Sequence, residues 1–252
     1  MAKRYPLLCV LALLLFFNSP LFAQNTSRVA AAADLQVALP EIQKDFETLN
    51  PDLRLQITYG SSGVFAGQLR QGAPFELYFS ANADYVAILH EAGLTRDAGT
   101  DYARGRLAFY SHRKLNAETA ESALRTWLQS NAESKISIAN PRHAPYGVAA
   151  MGWLEYMDLD LPDSQLVKGE NAAQSVQFVL AGAVSAGIIA WPLIQPRQLE
   201  GQAWLIADDQ HPPLQQSMVL MNNAGPAAEA FYTHLQKPEV IEKLQSFGFG
   251  AP

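Results

Sequence analysis

Short apolar runs alternate along the chain with segments in which apolar residues recur every three or four positions. The first pattern is typical of buried strands and the second of one face of a helix. Leu35, Leu39, Ile42 and Phe46 show the helical spacing, and Pro40 among them is expected to kink or loosen that helix. The predicted strands are 29–32, 53–59, 77–80, 107–111, 136–139, 186–190 and 218–221. The predicted helices are 35–49, 64–71, 85–91, 118–128, 148–157, 172–180 and two C-terminal helices that separate near Pro238.

Most of the predicted strands lead through a loop into a helix. Repeated strand–loop–helix units build parallel sheets covered by helices, which places the chain in the α/β class. In such sheets, ligands lie beyond the carboxyl ends of the strands and against the N-termini of helices. The loops that leave a strand and enter a helix are therefore where a site is expected.

The N-terminus has the pattern of a secretory signal peptide. Lys3 and Arg4 precede an apolar run over 7–17, and a polar break then leads to a cleavage point after Ala23. A membrane anchor is the alternative, but spanning a bilayer takes roughly 20 apolar residues. We therefore expect an exported chain from which the signal is removed.

The length, cysteine content and charge of the chain mainly exclude certain classes of site and partner. A chain of 252 residues allows one large domain or two modest ones. Its one cysteine, Cys9, lies in the predicted signal, so the mature chain is expected to have neither a disulfide nor a thiolate metal site. Removal of Lys3 and Arg4 takes the formal net charge from −6 to −8, which argues against nucleic acid as a partner.

Four predicted strand-to-helix loops have chemistry suited to an anion. They are 32–34, 59–63, 144–147 and 169–172. Each has small, glycine-flanked or hydroxyl residues where the first turn of a helix leaves backbone N–H groups unpaired and partly positive. Ser61 and Ser62 add hydroxyl donors, and Tyr146 adds a phenol. Ordinary helix capping by Asp34, Ser62 or Asn171 explains any one loop taken alone, so the spacing names no ligand.

The sequence gives little support to an enzyme. His90, His112, His143, His211 and His234 are scattered without the spacing of metal ligands. Neither a G-x-S-x-G nucleophile elbow nor a phosphate-loop glycine–lysine pattern is present. We therefore expect binding without catalysis, no cofactor, and no directly ligated metal cation, with His143 a turn residue near a candidate loop.

Six stretches of sequence, weak signals alone, are specific together. They are VAAAADL (29–35), YGSSG (59–63), GAPFELYFSAN (72–82), NPRHAPYG (140–147), GENAAQ (169–174) and AGIIA (186–190). In combination they make the chain similar to the periplasmic molybdate-binding proteins that supply ABC importers, over about 29–249. Many members of that family carry tyrosine where this chain has Ala190. Another branch has its tyrosine in the APYG loop, and this chain resembles that branch.

The resemblance implies a type II periplasmic-binding-protein fold. That fold has two α/β lobes, each a mainly parallel sheet flanked by helices, with a ligand cleft between the lobes. By analogy, 1–23 is the signal peptide, 24–106 with 217–252 is lobe one, and 107–216 is lobe two. The resemblance also implies a periplasmic monomer that captures molybdate, and tungstate with it, and delivers it to a membrane ABC permease.

The family holds its oxyanion with neutral hydrogen-bond donors. Carried over by position, the ligand-binding residues are Asp34, Ser61, Ser62, Tyr146 and Ala172, with Ala33 and Asn171 as adjacent candidates. Molybdate is fully deprotonated near neutral pH, so a site made only of donors suits it and disfavours hydrogen phosphate. Sulfate, which is also deprotonated, has to be rejected by its size.

Asp34 departs from the family pattern, which has serine or asparagine at that position. A carboxylate accepts hydrogen bonds and repels an oxyanion. The side chain could turn away and cap the helix, it could be protonated when ligand binds, or it could accept a hydrogen bond from a protonated oxyanion. The third case gives the alternative function, binding of a phosphate-like anion. An organic acid fits less well, since no candidate loop has an arginine at its centre.

Overall fold

A computed structural model describes residues 25–130, 135–197 and 199–252. The predicted signal peptide, 1–23, lies outside the described residues. Ten strands in the described part form two five-stranded sheets. The strands are β1 (Asn25–Ala32), β2 (Leu53–Gly60), β3 (Leu77–Ser80), β4 (Thr100–Arg104), β5 (Leu107–Ser111), β6 (Ile136–Ala139), β7 (Leu166–Gly169), β8 (Ala186–Ala190), β9 (Gln202–Leu205) and β10 (Gln215–Leu220).

Eight α-helices in the same described ranges cover the two sheets. They are α1 (Ala38–Leu49), α2 (Ser62–Arg70), α3 (Ala83–Glu91), α4 (Ala120–Ser130), α5 (Pro145–Tyr156), α6 (Ala172–Leu180), α7 (Pro226–Leu235) and α8 (Pro238–Ser246). Four short 3-10 turns accompany them, at Ala33–Gln36, Asp163–Gln165, Trp191–Leu193 and Asp208–Gln210.

The two sheets have the same design and define two lobes. The first sheet has the order β2-β1-β3-β10-β4, and the second has the order β7-β6-β8-β5-β9. In the first, β1 pairs parallel with β2 and β3, while β10 lies antiparallel between β3 and β4. In the second, β6 pairs parallel with β7 and β8, while β5 lies antiparallel between β8 and β9. One strand in each sheet thus runs against the other four, and the carboxyl ends of the parallel strands share one edge.

The chain passes between the lobes along two neighbouring connections. It leaves the first sheet after Arg104 and enters the second at Leu107, and it returns between Leu205 and Gln215. The N–H of Gly105 donates to the carbonyl of Leu214 at 2.8 Å, so the two connections are hydrogen-bonded to each other. The division of the lobes at 106/107 and 216/217 stays a prediction.

The predicted helix over 35–49 consists of two elements. A 3-10 turn over Ala33–Gln36 comes first, and α1 begins after it at Ala38. This break makes Pro40 the third residue of α1, where an N–H would have no intrahelical acceptor in any case. The proline therefore sets where the helix begins and does not kink it.

Three strands that the apolar pattern did not predict all lie at sheet edges. They are β4, β7 and β9. An edge strand is covered on fewer sides, so its sequence carries a weaker alternation. Helix α5 also begins earlier than expected, at Pro145, because proline suits the first position of a helix. This start places Tyr146 in the first turn of α5.

Candidate binding site

The four candidate loops meet around one small cavity between the lobes. It is lined by Ala32, Ala33, Asp34, Gly60, Ser62, Ala81, Ala144, Pro145, Tyr146 and Ala172. The volume that the centre of a water molecule can occupy inside this cavity is about 10 Å³. So small a space excludes organic solutes, and even a five-atom anion needs the lobes to separate slightly before it enters.

Three helices point their N-termini at this cavity. α2 begins at Ser62, α5 at Pro145 and α6 at Ala172. Backbone N–H groups in the first turn of a helix have no intrahelical acceptor and carry partial positive charge. The residues lining the cavity include neither lysine nor arginine. The cavity therefore offers an anion neutral donors and helix dipoles, without a compensating cation.

Ser62 is built as a donor toward the cavity. Its side chain is buried, and its Oγ accepts a hydrogen bond from the N–H of Ala81 at 3.0 Å. Its carbonyl accepts from the hydroxyl of Tyr78 at 2.8 Å, which fixes the turn. With the oxygen of Ser62 already accepting, its hydroxyl hydrogen is the part left to bind a ligand.

Ser61 lies next to the cavity, and its side chain forms a hydrogen bond between the lobes. Its hydroxyl donates to the carbonyl of His143 at 2.5 Å, and the N–H of Gly63 donates to the same carbonyl at 2.9 Å. A Cβ on Gly63 would lie 2.7 Å from that carbonyl oxygen, so the approach requires glycine. The imidazole Nδ1 of His143 is also 2.9 Å from Ser61 Oγ. These contacts join α2 to the loop before α5.

The two adjacent candidates lie in different places. Ala33 lines the cavity, whereas Asn171 does not. Asn171 is the N-cap of α6, and its side chain accepts from the N–H of Gln174 at 3.0 Å. It borders a neighbouring polar cavity that also reaches Gln36 and Tyr59. Its role in the structure is to fix the start of α6, and hence the position of Ala172.

The Asp34 side chain is buried at the cavity, where Asp34 is one of the lining residues. Asp34 is 1% exposed, and neither the 3-10 turn that contains it nor α1 has a side-chain cap. One carboxylate oxygen, Oδ2, accepts from Nε2 of Gln216 at 2.6 Å, and Oε1 of Gln216 accepts from the Tyr102 hydroxyl at 2.8 Å. The hydrogen-bond partner of this carboxyl is therefore the amide of Gln216, and whether Asp34 also caps the turn stays a prediction.

The other half of the Asp34 carboxyl faces Tyr146. The Tyr146 hydroxyl lies beside the carboxyl and against Gly105, where a Cβ would be 2.6 Å from Oη. Asp34 Oδ1 and Tyr146 Oη are both buried, yet neither has a partner at normal hydrogen-bond geometry. The phenol of Tyr146 therefore lies between Asp34 and Gly105, and its N–H is in the first turn of α5, where backbone N–H groups have no intrahelical acceptor.

Burial raises the pKa of the Asp34 carboxyl from 3.8 to about 6. The hydrogen bond from Gln216, the nearby hydroxyl of Tyr146 and the backbone N–H groups of Asp34 and Leu35 oppose this shift but do not cancel it. Burial and the charge of Asp34 hold the pKa values of Tyr102 and Tyr146 well above their usual range. Both phenols are therefore neutral throughout the pH range in which Asp34 titrates.

Four residues of this region were not predicted from the sequence. Ala81 lines the cavity, Tyr102 and Gln216 support Asp34, and His143 joins the lobes through its carbonyl. Gln216 had a usable signal, because a glutamine two residues before the apolar run over 218–221 suggests a buried amide with a specific partner. A backbone carbonyl such as that of His143 leaves no signal in sequence.

Other kinds of site find no support in the part of the chain that the structure describes. Its His, Cys, Asp and Glu residues do not cluster in a way that could hold a metal ion. Across 25–130, 135–197 and 199–252, the helices are too short or too polar to cross a membrane.

Comparisons with known proteins agree with this arrangement. The family model described as bacterial extracellular solute-binding protein matches residues 27–250. The molybdate-binding protein ModA of Azotobacter vinelandii is 30% identical over 229 residues, which cover 88% of this chain and 89% of the relative. ModA of Rhodobacter capsulatus is 30% identical over 196 residues, covering 76% of this chain and 75% of the relative.

The fold agrees as well. The solved structure of the Azotobacter vinelandii periplasmic molybdate-binding protein superposes with a TM-score of 0.79, covering 90% of this chain and 99% of the other, at 22% sequence identity. The predicted two-lobed α/β fold is thereby confirmed. The matched family consists of solute-binding proteins, so the expectation of a binding protein and not an enzyme is confirmed as well. The chain belongs to the bacterial extracellular solute-binding protein family and is of the ModA type.

Proposed function

We propose that this protein captures molybdate, and tungstate with it, outside the cytoplasm and delivers it to an ABC permease. The ligand-binding residues are Asp34, Ser62, Tyr146 and Ala172, with Ser61 and Ala33 adjacent. The observation that carries the proposal is the meeting of all four candidate loops at a single cavity. Relatives named as molybdate-binding proteins support the identity of the anion.

The chemistry of the cavity favours a small, fully deprotonated anion. Its helix N-termini and the Ser62 hydroxyl provide donors, and the absence of lysine and arginine among the lining residues removes the usual anchor for organic carboxylates. In so small a cavity these donors are shielded from water, which strengthens each contact. Size then separates molybdate and tungstate from sulfate.

Calorimetric titration of the chain from Gln24 onward, stripped of bound anion, tests the proposal. Molybdate and tungstate should bind tightly, whereas sulfate and phosphate should bind weakly or not at all. Substitution Ser62→Ala should weaken molybdate binding about 10- to 100-fold, because a hydrogen bond to a charged group contributes about 1.5–3 kcal/mol.

Ser137→Ala is the matched control. Ser137 is also buried, and its hydroxyl donates to the backbone carbonyl of Ser175 at 2.8 Å, but it does not line the cavity. Its loss should leave molybdate affinity unchanged. Tighter binding of phosphate than of molybdate would overturn the molybdate assignment and favour the phosphate-like alternative.

A further inference from the structure

The Asp34 carboxyl is the one acidic group at a cavity otherwise lined by neutral residues. Its Oδ2 is hydrogen-bonded to Gln216, while its Oδ1 is buried without a partner. A bound dianion would thus lie in the same small cavity as a carboxyl with no cation beside it. Two like charges in a site shielded from water repel strongly, and the repulsion favours protonation of the carboxyl.

The groups around Asp34 supply no alternative means of neutralising it. Tyr102 on β4 and Tyr146 on α5 are the titratable groups that act on it, and both are neutral phenols. Gln216 on β10 contributes an uncharged amide. The Tyr146 Oη beside Asp34 Oδ1 can donate to the carboxylate, and it can equally accept a hydrogen bond from the protonated carboxyl. These contacts can serve the carboxylate and the neutral acid alike, but none of them brings a positive charge that would offset the repulsion between a carboxylate and a bound dianion.

On the basis of the proposed function, we propose that Asp34 takes up one proton when the oxyanion binds. Molybdate is then captured as a dianion together with a proton. The proton resides on Oδ1 of Asp34 and comes from solvent, and no bond in the anion is changed. With the carboxyl neutral, the wall of the cavity presents no repelling charge. Asp34 is then a specificity-determining residue that allows a donor-only site despite its acidic side chain.

This coupling makes affinity depend on pH in a defined direction. In the structure the pKa of the Asp34 carboxyl is about 6, and the nearby dianion would raise it further. Below about pH 6 the free protein already holds the proton, so affinity should level off. Above it, each binding event must take a proton from solvent, and affinity should fall by up to about tenfold per pH unit.

Calorimetry in buffers of different ionisation enthalpy counts the protons directly. At about pH 7 the natural protein should take up close to one proton per molybdate bound. Asp34→Asn should take up none and should bind molybdate with an affinity that does not change between about pH 5.5 and about pH 8. An asparagine can still accept from Gln216 and donate to Tyr146, so it mimics the protonated acid. Asp160→Asn, at an exposed loop position, should behave like the natural protein.

Each contrary outcome has a distinct meaning. Proton uptake that persists in Asp34→Asn would assign it to another group and would overturn the inference. Molybdate binding without proton uptake in the natural protein would overturn it too, while leaving the proposed function intact. Phosphate affinity that rises with pH would show Asp34 acting as an acceptor. A lack of molybdate binding at every pH would remove the proposed function itself.

Discussion

At the scale of single residues, Asp34 shows what a sequence pattern can and cannot decide. The motif placed Asp34 beside the site and exposed the conflict between a carboxylate and an anion. It could not choose among the three roles open to the side chain, because the choice depends on Gln216, 182 residues away, and on Tyr146 in the other lobe. Partners so distant in sequence are joined only by the fold.

The raised pKa of Asp34 also predicts how the protein's stability responds to pH. In the unfolded chain the carboxyl ionises near 3.8, and in the folded chain only near 6. Between these two pKa values the folded state binds more protons than the unfolded state, so the free energy of unfolding falls as pH rises. Above about pH 6 this decrease in stability is complete. The full effect is about 3 kcal/mol, since one pKa unit corresponds to about 1.4 kcal/mol.

Asp34→Asn should therefore unfold at a higher urea concentration than the natural protein at about pH 7, in the absence of oxyanion, and the difference should nearly vanish at about pH 4. Asp160→Asn should show neither effect, because that side chain is exposed. An Asp34→Asn variant that is less stable at about pH 7 would show that the ionised carboxyl stabilises the free protein.

At the scale of elements, the apolar pattern predicted most strands and helices but misplaced the start of α5. The pattern recognised the apolar part of the helix from 148 onward and assigned Tyr146 and Gly147 to a loop. Both residues lie in the first turn, which packs against the end of β6. This close packing depends on a glycine, Gly147, and not on an apolar side chain. The spacing of apolar residues therefore could not reveal it.

Gly147→Ala should damage both folding and binding. A Cβ at Gly147 would collide with the carbonyl oxygen of Ala139 and lie 2.7 Å from the carbonyl carbon of Asn140, and this backbone cannot easily move. We expect a loss of about 1–3 kcal/mol in the free energy of unfolding and weaker molybdate binding, because Tyr146 is displaced.

Gly67→Ala is the control for Gly147→Ala. Gly67 also lies in a helix, α2, but a Cβ there has nothing within 4 Å. It should stabilise the protein by about 0.5–1 kcal/mol, since alanine is favoured over glycine inside helices. Urea unfolding and calorimetry of both variants distinguish a specific collision from a general effect of alanine. Equal behaviour of the two would contradict the role assigned to Gly147.

At the scale of the whole molecule, binding and lobe closure share the same loops. The loops at the cavity also carry the contacts from Ser61 and Gly63 to the carbonyl of His143. The cavity between them is too small for an anion to leave without separation of the lobes. The family resemblance implied two lobes around a cleft, but the hydrogen bonds that hold them together follow from the backbone path and were not predicted.

Ser61→Ala should therefore speed release of molybdate more than it changes the ligand contacts. Losing one interlobe hydrogen bond of about 0.5–1.5 kcal/mol should raise the dissociation rate about 2- to 12-fold, because the Gly63 contact remains. Stopped-flow displacement by tungstate measures this rate through the intrinsic fluorescence of the four tryptophans, one of which, Trp191, lies against Gly248 where the C-terminal segment meets the second lobe. Ser246→Ala, at an exposed serine on α8, should leave it unchanged. A loss of affinity as large as that of Ser62→Ala would place Ser61 on the anion itself, whereas an unchanged rate would show that this contact does not hold the lobes closed.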